Sequence, residues 1–218
     1  MHWLYYAGRE LTRVLLFLFT RWQVLGKEYI PAKGPLLVVA NHINLADPPI
    51  VGVSIGRNAV FLAKEELFRP GLAGYIMRRF GTFPVRRQGM NKESLRKAER
   101  FLAQGMALVI FPEGRRSQGA RLESAYPGAA LIAARSGAPV LPIGIYGTEK
   151  IRGGAWLLQR PKVTVNIGAP FYPVSGNGKV SRAQLDELTH CIMDHIAGLL
   201  PIEYRGNYAQ QEVDSHEN

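Results

Sequence analysis

One cysteine, Cys191, among 218 residues excludes an internal disulfide framework and any metal site built from several thiolates. Long apolar runs are missing too. The longest near the N-terminus, Val14-Leu15-Leu16-Phe17-Leu18-Phe19, is bracketed by Arg13 and Arg21 and falls far short of the ~20 residues that a membrane-spanning helix needs. Arg9, Glu10 and Arg13 precede that run and no small-residue cleavage site follows it. Neither a spanning helix nor a secretory signal is therefore expected, and the chain is expected to stay on the cytoplasmic side of a membrane. Acidic residues are scarce, 17 against 27 Lys and Arg, which leaves a net charge of +10. Such an excess calls for an anionic partner: nucleic acid, a phosphorylated substrate or an acidic bilayer. Helix-turn-helix, zinc-finger and aromatic RNA-binding patterns are absent, so no nucleic-acid partner is expected.

What is present is enough apolar material, 47% of residues, for one sizeable core. Leu36-Leu37-Val38-Val39-Ala40 is a continuous apolar run of the kind that fills a buried strand, and residues 41–47 form a polar turn after it. Pro48-Pro49 then opens a helix that stops at Gly56, with Asp47 where an N-cap belongs. Further strands are read at residues 59–63, 82–85, 106–111, 140–146 and 162–167, and further helices at 65–80, 91–104, 128–136 and 181–200. This alternation predicts a single α/β domain with a mostly parallel or mixed central sheet flanked by helices, preceded by an N-terminal amphipathic helix or helix pair.

On a helical wheel Leu4, Leu11, Leu15, Leu18, Trp22 and Leu25 share one stripe, opposite Arg9, Thr12, Arg13, Thr20 and Gln23. The stripe packs on the domain or, with Trp3, Tyr5, Tyr6, Phe17, Phe19, Trp22 and the arginines, lies in a membrane interface. Residues 1–30 are accordingly assigned to an amphipathic membrane-interface segment, 31–204 to the main domain, and the acidic, apolar-poor stretch 205–218 to a disordered tail.

Polar clusters stand at the carboxyl ends of the expected strands, where α/β sheets gather their ligands: Asn41-His42 with Asp47, Lys64, Arg86-Arg87, and Glu113-Gly114-Arg115-Arg116-Ser117. His42 and Asp47 would stand about 140° apart on a regular helix, so they meet only if the segment turns. There, a carboxylate could hold one imidazole nitrogen and leave the other to take a proton from a hydroxyl. Alone, the pair equally fits a helix cap beside a strand-end histidine.

Four blocks in order add to it: Asn41-His42-Ile43-Asn44-Leu45-Ala46-Asp47-Pro48, Gly81-Thr82-Phe83-Pro84-Val85-Arg86-Arg87, Phe111-Pro112-Glu113-Gly114-Arg115-Arg116-Ser117 and Ala138-Pro139-Val140-Leu141-Pro142. From Gly34 to Gly147 the chain resembles the glycerolipid acyltransferase family typified by 1-acylglycerol-3-phosphate acyltransferase. The resemblance implies that His42 is the catalytic base and Asp47 the residue that orients and charges it. It implies further that Arg87 and Lys64 bind substrate phosphate, that Glu113 and Gly114 meet the acceptor's glycerol portion, and that Arg116 is the arginine two places after that glycine. Arg86 stands where the family is often acidic, Arg115 where it often has threonine and Asn44 where it often has serine.

The implied reaction moves a fatty acyl group from an acyl thioester to the sn-2 hydroxyl of 1-acyl-glycerol-3-phosphate, giving phosphatidic acid in phospholipid biosynthesis. Glycerol-3-phosphate or another lysophospholipid is the alternative acceptor, and a basic anionic-lipid or nucleic-acid binding protein the alternative of another class. The thioester is carried by coenzyme A or acyl carrier protein, and no metal or organic cofactor is expected. The arrangement resembles a serine hydrolase triad in which the substrate's own hydroxyl replaces the serine. An anionic membrane surface completes the expected partners, with the protein peripheral or monotopic there.

Overall fold

The computed structural model describes residues 2–68, 75, 81–85, 91–173 and 180–209. Seven strands form one sheet: β1 (Arg21–Leu25), β2 (Leu36–Ala40), β3 (Ala59–Lys64), β4 (Thr82–Val85), β5 (Ala107–Ile110), β6 (Val140–Tyr146) and β7 (Lys162–Ile167). Their spatial order is β1-β7-β6-β2-β5-β3-β4, with β6 and β7 antiparallel and every other pair parallel. The sheet is thus mixed, with a parallel centre, and its middle strand β2 is wholly buried on both faces. That is why β2 is a continuous apolar run and not an alternating one.

Side chains alternate across β2, and each face has its own core. Leu36, Val38 and Ala40 meet Ile50, Val51 and Ile55 of helix α2 (Asp47–Ile55) and Leu16 of helix α1 (Trp3–Phe19). Leu37 and Val39 look the other way. They belong with Leu95, Ala98 and Leu102 of α3 (Lys92–Ala103), Ile132 of α4 (Gly128–Ser136) and Ile192, Met193 and Ile196 of α6 (Arg182–Gly198); α5 (Trp156–Gln159) is a single turn near the end of α1. The chain leaves β2 toward β3 on one side and crosses from β5 to β6 on the other. The carboxyl ends of β2, β5 and β6 therefore surround a switch point in strand order, the position where such sheets bind ligands.

Three readings of the sequence need correction. The helical stripe does not continue to Leu25: Thr20 ends α1, its hydroxyl donating to the Leu16 carbonyl at 2.6 Å, and residues 21–25 become edge strand β1 against β7. Trp22 and Val24 pack into the core from that strand, a period of two that a long helical wheel absorbs. After β3 the chain forms a 3-10 turn, Glu65–Phe68, where the start of a helix was expected; Tyr75 is helical as expected, and 69–74 and 76–80 lie outside the described residues. The expected tail is ordered at its start, since Gly206–Ala209 is a 3-10 turn whose Tyr208 packs on the core, while 210–218 lie outside the described residues.

Candidate functional site

Asn41 ends strand β2 with a side chain that imitates a backbone partner. Its Nδ2 donates to the Ile145 carbonyl at 2.8 Å and its Oδ1 accepts the Ile145 N–H at 2.7 Å, so the β2–β6 pairing closes there and the chain turns. His42 follows. Its Nδ1 lies 2.9 Å from Asp47 Oδ2, and its ring stacks on Phe111 with 4.4 Å between centroids. A carboxylate only accepts hydrogen bonds, so Nδ1 carries the proton and Nε2 is left with its lone pair. Among the described residues nothing bonds Nε2, and the side chain is 16% exposed.

Asp47 is fully buried. Its Oδ2 also accepts the Ile43 and Asn44 N–H groups, both at 2.6 Å, which offsets part of the lost hydration of the charge, while Oδ1 is buried with no hydrogen-bond partner among the described residues. The expected N-cap role is therefore displaced: Ala46 takes the cap position with no side-chain bond, and the Asp47 carboxylate turns back onto the preceding loop. As first residue of α2 it still gains from the positive helix end. Asn44 fastens the same loop from outside, its Oδ1 accepting the Ala46 N–H at 3.0 Å and its Nδ2 donating to the Thr148 and Ile151 carbonyls at 2.9 and 3.1 Å. Gly147 makes that anchor possible. Its φ of 88° and the Lys162 carbonyl, 2.1 Å from where a Cβ would stand, admit only glycine.

Glu113, 1% exposed, comes from the loop after β5. Oε1 accepts the His42 N–H at 2.8 Å and Oε2 the Glu123 N–H at 3.0 Å, while the Ser117 N–H donates to the His42 carbonyl at 2.7 Å. The backbone of His42 is thus held at both its N–H and its carbonyl. Burial pushes the Glu113 carboxyl up to about 7. Gly114 turns the loop at φ 64°, with Tyr126 3.0 Å from a would-be Cβ. Arg115 pairs with Glu123 at 2.7 Å, whereas Arg116 is exposed and has no ion pair among the described residues. A cavity of about 590 Å³ opens beside Glu113, lined by Arg115, Gln118, Arg121, Tyr126 and Asn207 among others.

The fold thus brings His42, Asp47, Glu113, Gly114 and Arg116 to one sheet end. Lys64 closes strand β3, separated from β2 by β5. Arg86 and Arg87 lie outside the described residues. Among the described residues no group of three His, Cys, Asp or Glu side chains is placed to hold a metal ion. The bonding roles of Asn41 and Asn44 and the stacking of Phe111 on His42 escaped the sequence reading. A buried amide beside a strand end has no distinctive pattern, although Asn41-His42 and Phe111 all stand in the quoted blocks.

The arrangement can do one piece of chemistry well. An oriented imidazole with a buried carboxylate behind it, and with no serine or cysteine side chain bonded to its Nε2 among the described residues, can deprotonate a hydroxyl supplied from outside.

Comparison with known proteins agrees. The family model described as Acyltransferase matches residues 21–146. Over 173 residues the chain is 30% identical to the chloroplastic 1-acyl-sn-glycerol-3-phosphate acyltransferase of Brassica napus, covering 77% of this chain and 50% of that one. The chain therefore spans about half the length of that relative. It is 28% identical over 189 residues to the 1-acyl-sn-glycerol-3-phosphate acyltransferase of Bacillus subtilis, covering 86% and 92% respectively. The crystal structure of the 1-acyl-sn-glycerophosphate acyltransferase of Thermotoga maritima superimposes with a TM-score of 0.65 at 29% identity, over 86% of this chain and 76% of that one.

Proposed function

Because the chain belongs to the acyltransferase family, we propose that it transfers a fatty acyl group from an acyl thioester to the sn-2 hydroxyl of 1-acyl-glycerol-3-phosphate, giving phosphatidic acid. The observation that carries the reading is the His42–Asp47 contact of 2.9 Å with Nε2 left unbonded among the described residues. Nε2 takes the hydroxyl proton as the hydroxyl oxygen attacks the thioester carbonyl, and Asp47 stabilises the imidazolium. The tetrahedral intermediate then expels the thiolate, which recovers the proton from His42. General-base assistance of this kind contributes about 10²–10⁴-fold, and the remainder comes from holding two substrates in place. Arg116, with Lys64 and Arg87, is assigned to the acceptor phosphate, and the cavity beside Glu113 to a polar part of a substrate.

Access to lipid is assigned to α1. The boundary expected at residue 31 is moved back to take β1 into the domain, and α1 is left as the interface segment. No helix among the described residues is long and apolar enough to cross a membrane. Yet α1 buries only Tyr5 and Leu16 and turns Trp3, Leu11, Val14, Phe17 and Leu18 outward, the reverse of a surface helix in water. An acidic bilayer on the cytoplasmic side accounts for that face and for the positive charge. The decisive experiment offers labelled acyl-coenzyme A and acyl carrier protein thioesters with a panel of lysolipids and glycerol-3-phosphate, and identifies products by mass spectrometry. Phosphatidic acid is expected; a product from another acceptor alone, or none, overturns the assignment.

A further inference from the structure

Leu158 is 91% exposed, and Leu157 beside it is also exposed. Both sit on α5, in the loop that joins β6 to β7. An isolated exposed leucine needs no explanation, but two successive ones at the tip of a braced loop do. The bracing is specific. Trp156 packs edge-on against Phe19 with 6.1 Å between centroids, an Arg160 Nη2 donates to the Phe17 carbonyl at 3.2 Å, and the Arg21 Nε donates back to the Arg160 carbonyl at 3.2 Å. Arg160 holds a φ of 45°, which a non-glycine residue keeps only where its surroundings impose it. These contacts hold α5 against the end of α1, so the helix that exposes Leu157 and Leu158 is fixed beside the one that exposes Phe17 and Leu18.

The charges around the loop are of one sign. From Lys150 to Lys162 the chain holds Lys150, Arg152, Arg160 and Lys162 and no carboxylate side chain. All four cations are exposed and none is in an ion pair among the described residues. The near end of the same loop reaches the catalytic turn, since the Thr148 and Ile151 carbonyls hold Asn44.

We propose that residues 150–162 form a second lipid-contact element, in which Leu157 and Leu158 insert into an anionic bilayer beside α1 while the four cations meet its headgroups. The inference rests on the reading that the protein works at a membrane, and it extends the contact from the N-terminal helix to a loop more than 130 residues later, a separation of the order seen for Arg160 and Phe17 at 143 positions. Two contacts set the orientation of a body on a surface where one helix leaves it free to roll. Here they hold the loop whose Thr148 and Ile151 carbonyls fasten Asn44, and through it the His42 turn, at the interface where both acyl chains reside.

The test uses the full chain and sedimentation with phosphatidylcholine vesicles, with and without phosphatidylglycerol. Leu157→Ser with Leu158→Ser should weaken partitioning to the anionic vesicles about ten-fold or more, since two leucines lose their burial. Leu158→Trp should strengthen it. Thermal midpoint and turnover of a short-chain, water-soluble acceptor should stay at wild-type values in both variants. Unchanged partitioning in the double variant overturns the proposal, as does a double variant whose thermal midpoint collapses, because the leucines would then be part of the core. A selective rise in KM for acyl carrier protein thioester, with vesicle binding intact, overturns it in favour of a protein dock. Wild-type protein that does not sediment at all overturns the membrane reading together with this one. Wild-type protein that sediments but makes no phosphatidic acid sinks only the assigned reaction, since partitioning is read without turnover.

Discussion

At the turn from His42 to Asp47 the imidazole rests between Asp47 and Phe111, while Glu113 and Ser117 hold the backbone of the same residue. Removing the imidazole should leave the fold in place, because the side chain is partly exposed and the backbone bonds do not depend on it. His42→Ala is expected to lower kcat about 10²–10⁴-fold with an unchanged thermal midpoint. Asp47→Asn should lose both activity and stability, the latter by about 1–3 kcal/mol, since an amide nitrogen can then face the buried Ile43 and Asn44 N–H groups. Asn44→Ala releases the loop from Thr148 and Ile151 without touching the proton acceptor. Its kcat should fall about ten- to hundred-fold while the donor KM stays near wild type, the signature of a misplaced base. Glu113 supplies a pH test. Its carboxyl is raised to about 7 by burial, so the native state binds this proton more tightly than the unfolded chain does. The resulting stabilisation is complete below an unfolded carboxyl value of about 4.3 and is lost as pH rises through about 7. Urea midpoints of wild type and Glu113→Gln should therefore converge or cross between pH 4.5 and 7.5, the wild type losing at most on the order of 3 kcal/mol relative to the variant.

Among the elements, α1 has two faces with separate tasks, and they can be altered separately. The inner face is anchored by Tyr5, whose hydroxyl donates to the Arg57 carbonyl at 3.3 Å and accepts the Ala59 N–H at 3.0 Å. Tyr5→Phe leaves both backbone groups without that partner and should cost about 1–2 kcal/mol, read as a lower thermal midpoint. The outer face carries Leu11 and Leu18, both exposed. Leu11→Ser with Leu18→Ser should keep the thermal midpoint and release the protein from anionic vesicles. Deleting residues 1–26 would be a poor substitute for these variants, because it removes β1 and with it the cover on the edge of β7.

For the molecule as a whole, the net charge of +10 makes surface attraction long-ranged but easily screened. At about 0.1 M salt the screening length is roughly 10 Å, so vesicle binding should weaken steadily as salt is raised, and only the apolar contribution should survive at 1 M. Binding that is indifferent to salt and to phosphatidylglycerol would mean that the excess charge serves substrate phosphates alone.

Much of this was legible in the sequence because the information is local. Buried parallel strands are short apolar runs and half-buried strands alternate, so β2 and β6 could be read from their runs and β7 from its alternation, and the polar clusters after β2 and β5 marked the site. The fate of individual polar groups was not local. Glu113 meets the His42 N–H across 71 positions of sequence, and Asn44 meets the Thr148 carbonyl across 104. Which oxygen faces which N–H depends on β5 and β6 flanking β2, and no pattern along the chain encodes that order. The same holds for α1 and β1: a wheel shows that an apolar stripe exists, but only packing decides which side of it water is left to meet, and only the open edge of β7 turns residues 21–25 from a helix into a strand.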